Sequence, residues 1–184
     1  MERLGAPVRS DRYANRINRV QSPLRASSVP YASILLGSLI PFLFLADVLP
    51  IVPPLGFLML IGWRIMRPGL LPIWLGVPLG AFDDLFSGQP FGSAILLWSI
   101  AMIVLDAVEQ RFPWRGFWQD WFSAGLAIFV YIIAAMVVSG APLTVHMAIA
   151  ALPQLALSIL LYPIVSSVIG WLDRFRLARA RRIG

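Results

Sequence analysis

From Tyr31 to Ile65 the chain carries only two charged residues, Asp47 and Arg64, and this long apolar run restricts the fold more than any other feature. One straight helix over that length would reach ~50 Å, well past the ~30 Å hydrocarbon core of a bilayer, so the segment must turn back on itself. The turn is written at Asp47, Pro50, Pro53 and Pro54, because proline lacks an amide donor and clashes with the preceding helical turn. Span one is therefore predicted from Tyr31 to Leu49 and span two from Ile51 to Ile65.

The same punctuation divides the rest. Arg64, Arg67, Pro68 and Gly69 make the next turn, followed by span three from Leu70 to Phe86. Gly88 and Pro90 lead into span four, Phe91 to Val108. The polar stretch Glu109 to Asp120 carries Phe112, Trp114, Phe117 and Trp118, an interfacial aromatic belt, before span five, Trp121 to Val138. Ser139, Gly140 and Pro142 precede span six, Val145 to Trp171, whose length, Pro153 and Pro163 predict a tilt or kink. The expected fold is all-α: a polytopic membrane helical bundle of about six transmembrane helices over residues 31–172. Basic tails flank it at 1–30 and 173–184.

Charge agrees with a membrane class. Hydrophobic residues make up 59% of the chain and charged ones 13%, about half the charged share of a soluble domain. All fifteen basic residues are arginines. They occupy the two tails and the turns after spans two and four, while the turns after spans one, three and five hold none. Basic residues are retained in the cytoplasm, so both termini are expected inside. Arginines that flank apolar runs, rather than lining a polar face with stacking aromatics, argue against nucleic acid as a partner. In the N-terminal tail, Tyr13, Ile17 and Val20 share one helical face and Arg12, Arg16 and Arg19 another, a pattern suited to anionic membrane lipids. A secretory signal is not expected, because thirty residues precede the first apolar run and no small-residue cleavage site follows it.

Few residues carry chemistry. Cysteine and lysine are absent, which removes disulfides, thiolate ligands and Schiff-base chemistry. His146 stands alone in an outer turn without the partners a metal needs. No GxSxG elbow occurs, so no catalytic residue, metal or cofactor is expected. The informative pattern is Gly76, Gly80, Asp84, Gly88 and Gly92, one residue in every four. The first three stack on one helical face, and Gly76 and Gly80 form a GxxxG pair that admits another helix at close range. These five and Asp47 are the candidate interaction or helix-packing residues. Asp84 is expected to accept hydrogen bonds from a partner helix or an outer-loop amide, so that its replacement by leucine spares insertion but harms function. Asp83 points off the stripe and is expected to face lipid headgroups. Asp106 and Glu109 are expected to be hydrated at the inner boundary.

The segment Leu75 to Leu97, LGVPLGAFDDLFSGQPFGSAILL, resembles the characteristic stretch of the MreD family: a glycine, an aspartate four residues later, then two spaced glycines before an apolar run. Gly80, Asp84, Gly88 and Gly92 take those places. The resemblance extends over about Pro41 to Leu105, through the proline turn at Pro53 and Pro54, Trp63, and the basic turn at Arg67 and Pro68. Asp83, which doubles the acid, and the long arginine-rich N-terminal tail depart from the pattern. The resemblance implies a non-enzymatic scaffold of the bacterial inner membrane. It also implies association with MreC and, through the cell-wall elongation complex, with MreB, RodA and a penicillin-binding transpeptidase. A helical fold similar to the substrate-binding subunits of vitamin uptake transporters is implied as well. That similarity supplies the alternative function, a small-molecule uptake subunit, against which the scarcity of polar residues at deep positions counts.

Overall fold

The computed structural model describes residues 23–45, 52–111, 116–140 and 144–177, and every regular element among them is helical. Helix α1 (Pro23–Ile40) runs on into a π-helical turn, Pro41–Leu45. It is followed by α2 (Leu55–Met66), a 3-10 turn (Ile73–Leu75), α3 (Gly76–Asp84), α4 (Ser93–Arg111), α5 (Phe117–Val138) and α6 (Val145–Leu177). Six helices thus appear in the predicted order. Only α4, α5 and α6 are each long and apolar enough to cross a bilayer unaided.

The two short middle helices are explained by where they sit. At 12 residues, α2 is only ~18 Å long, too short for the hydrocarbon core. It is, however, enclosed by α1, α4, α5 and α6, and all of it except Leu55, Met59 and Met66 is buried. A short helix and its irregular ends are tolerated at membrane depth when protein rather than lipid surrounds them. Helix α3, nine residues long, lies against α4 and α1. The lipid-facing surface is carried by the long helices, with exposed Ile103 and Val104 on α4, Phe122 and Leu126 on α5, and Leu160 and Ile164 on α6. In water such a surface would aggregate.

Helix α1 begins at Pro23, within the stretch read from sequence as tail. A proline is well placed in a first turn, where its missing amide has no acceptor to lose. Pro30 lies inside the helix and is fully buried, and its carbonyl accepts a hydrogen bond from Ser33 Oγ at 2.8 Å. Ser33 Oγ in turn accepts one from Trp63 Nε1 at 2.8 Å. The Arg176 guanidinium stands over the Trp63 ring, 5.5 Å from its centroid. Trp63 therefore touches both the middle of α1 and the end of α6 and ties the two helices together. The middle is locked by aromatics: Phe57 of α2 stacks on Tyr131 of α5 with ring centroids 3.9 Å apart, and lies 6.1 Å from Trp98 of α4.

Candidate functional site

The glycine and aspartate stripe forms the contact between α3 and α4. A Cβ on Gly76 would lie 2.8 Å from Ser99 Cα, and one on Gly80 would lie 2.6 Å from the Ala94 carbonyl oxygen. Both obstacles are backbone, so any side chain would push the helices apart. The turn that joins them is made by Gly88 and Gly92, with φ of +68° and +100°, a region closed to most L-residues.

Asp84 completes this hairpin from the side. It is 6% exposed, and its carboxylate accepts hydrogen bonds from the amides of Gly92 at 2.9 Å, Ala94 at 2.8 Å and Ile95 at 3.2 Å. Ser93 Oγ adds a fourth at 3.1 Å. Two further amides at the start of α4 are served by backbone: Ser93 N–H donates to the Pro90 carbonyl and Leu96 N–H to that of Gly92. The first turn of a helix leaves its amides without intrahelical acceptors, and an anion there also meets the positive end of the helix dipole. Asp84 therefore caps α4 from a neighbouring helix. The close approach and the outer-loop acceptor expected of the stripe both lie within this chain.

Asp83, the adjacent residue, turns elsewhere. Expected from sequence to face lipid headgroups, it lines a cavity of about 470 Å³ bordered by α1, the segment before α2, α3, α5 and α6. Stripe and cavity diverge because successive helical residues point about 100° apart.

At the opposite end, charges expected to be solvated are paired. Arg64, read from sequence as part of a turn, lies within α2 at 3% exposure. It bonds the Asp106 carboxylate, stands 3.2 Å from Glu109 Oε2 and donates to the Leu71 carbonyl at 2.9 Å. Asp106 and Glu109 are thereby held by an arginine rather than by headgroup water alone, tying α2 to α4. The signal was present in sequence: a lone arginine in an otherwise apolar helix requires a partner. A second cluster joins Arg67, Asp173 and Arg176. Asp173 accepts from Arg67 Nε at 3.0 Å and Arg176 Nε at 2.7 Å. Burial alone would push the Asp173 carboxyl up, but the hydrogen bonds and charges of the two arginines outweigh it and hold the group below the usual carboxylate range. Asp47 lies outside the described residues. His146 is exposed in the first turn of α6.

Comparison with curated proteins finds no match. Comparison with solved structures finds none either, so the likeness to vitamin-uptake subunits draws no support from that side. Comparison with protein families matches residues 26–172, from the first turn of α1 to the end of the last span, to the family described as rod shape-determining protein MreD. With most of its length so matched, and with helices apolar enough to span a membrane, the chain belongs to the MreD family of multi-pass, rod-shape-determining membrane proteins.

Proposed function

We propose that this protein is a non-enzymatic scaffold of the inner membrane that controls rod shape and peptidoglycan synthesis by associating with MreC. Through the elongation complex it meets MreB, RodA and a penicillin-binding transpeptidase. The observation that carries this reading is the family match over residues 26–172. The placement of the acids supports it: Asp84, Asp106 and Asp173 each hold one element of the bundle to another. In this reading the Gly76, Gly80, Asp84, Gly88 and Gly92 motif shapes the α3–α4 hairpin, whose outer surface then meets the partner. Both termini are cytoplasmic, with the basic stretches that precede Pro23 and follow Leu177 on the anionic inner leaflet, where each arginine contributes about 1 kcal/mol of attraction.

The test is detergent co-purification of the tagged chain from its host, paired with depletion of the protein. Recovery of MreC together with rounding of the depleted cells is expected. Capture without MreC, or turnover of peptidoglycan precursor by the isolated chain, would overturn the reading.

A further inference from the structure

The cavity beside Asp83 has the features of a built site. Its volume of about 470 Å³ is within the range of small-molecule pockets. Phe42 and Phe86, with ring centroids 5.5 Å apart, form an apolar wall. Tyr131 contributes a second aromatic surface, and Gln154, also on the lining, donates to the Val52 carbonyl at 2.9 Å.

Two polar groups meet inside. A methyl group on Gly56 would fall 2.1 Å from Ser38 Oγ and 3.2 Å from Asp83 Oδ1, so hydroxyl and carboxylate face the same small volume. Ser38 is 6% exposed, and its hydroxyl stands beside the Asp83 carboxylate with no other polar partner among the described residues. Neither an arginine nor a backbone amide reaches the Asp83 carboxylate among the described residues, in contrast with the four donors on Asp84.

Among the described residues no arginine, lysine or histidine lines the cavity to neutralise that charge. A half-buried carboxylate without a cationic partner calls for one, and one that faces aromatic walls favours a cation on an apolar stem.

We propose that this cavity binds a small organic cation, an ammonium or guanidinium group on a short aliphatic stem. The charge pairs with Asp83, Ser38 Oγ accepts one of its N–H groups, and the stem lies against Phe42 and Phe86. The site is independent of the association with MreC and stands or falls separately from it.

Calorimetric titration of the purified full-length protein with butylguanidinium tests the proposal, with neutral butylurea and anionic butanesulfonate as controls. Saturable binding of butylguanidinium alone is expected. Asp83→Asn should weaken it about tenfold or more, the loss typical of a hydrogen bond to a charged group. Ser139→Arg is a second variant, placed at an exposed rim position where α5 ends and a basic residue is tolerated. It supplies a tethered guanidinium and should abolish binding without unfolding the bundle, which keeps the test decisive if Asp83→Asn does not fold. Absence of saturable binding, equal binding of butylurea, or full affinity in the folded variants would overturn the proposal.

Discussion

Asp83 and Asp84 share a side chain and a helix, yet one rotation step along α3 separates a group that finishes the backbone from one that faces an empty volume. Removing Asp84 has consequences that its position in a membrane helix alone does not suggest. Leucine would relieve the cost of an acid near the bilayer, the reason insertion was expected to survive. It would also leave the amides of Gly92, Ala94 and Ile95 without their acceptor. Each orphaned buried amide costs about 1–3 kcal/mol, so Asp84→Leu is expected to lose ~2–4 kcal/mol after partial rescue by water. Asp84→Asn should fall between, because it keeps one acceptor oxygen but turns a new donor towards donors. Unfolding in mixed micelles and membrane abundance measure both, and wild-type stability in Asp84→Leu would refute the cap. The candidate status of Asp84 was legible from spacing. Its partners were not, since a four-residue period names a face but not what the face meets.

At the scale of elements, α3 depends on α4 more than on its own length. Nine residues make a marginal helix, and only the close packing through Gly76 and Gly80, with Asp84 below, makes it a stable unit. Gly80→Ala is therefore expected to destabilise the protein by about 1–3 kcal/mol, because the new methyl meets backbone that cannot move aside. Gly125 in α5 is the counter-case, with nothing within 4 Å of an added Cβ. There the same change should be neutral or stabilising by up to ~1 kcal/mol, through helix propensity alone. Thermal midpoints of the two variants in one detergent decide the matter, and similar values would show that the glycine stripe is not a steric requirement. The element boundaries that sequence missed have a common cause. Helix α1 starts before its apolar run and already packs into the bundle at the fully buried Pro30, and α2 can be short because its neighbours replace lipid around it.

For the whole molecule, the arginines Arg64, Arg67 and Arg176 gather at one end, while no arginine or lysine among the described residues lines the cavity that bears Asp83 at the other. Reporters fused after Arg67, Arg115 and Gly184 are expected to read cytoplasm, and those inserted near Pro53, Gln89 and Pro142 the outer side. An outer signal at Gly184 would remove a crossing and overturn the six-span reading. Pairing of Arg64, Arg67 and Arg176 with acids does not weaken this expectation, because arginine count rather than net charge sets orientation.

The chain's membrane class and the six helices among its described residues follow from sequence by itself, because apolar run length and proline punctuation act locally and add along the chain. The family is legible in the glycine and aspartate spacing for the same reason. Only the tertiary structure decided that the stripe turns inward onto α4, that Arg64 is buried against Asp106, and that Asp83 rather than Asp84 faces a cavity. Each of those depends on which neighbour satisfies a polar group once water is gone, and that partner lies across the bundle, beyond the reach of any local pattern.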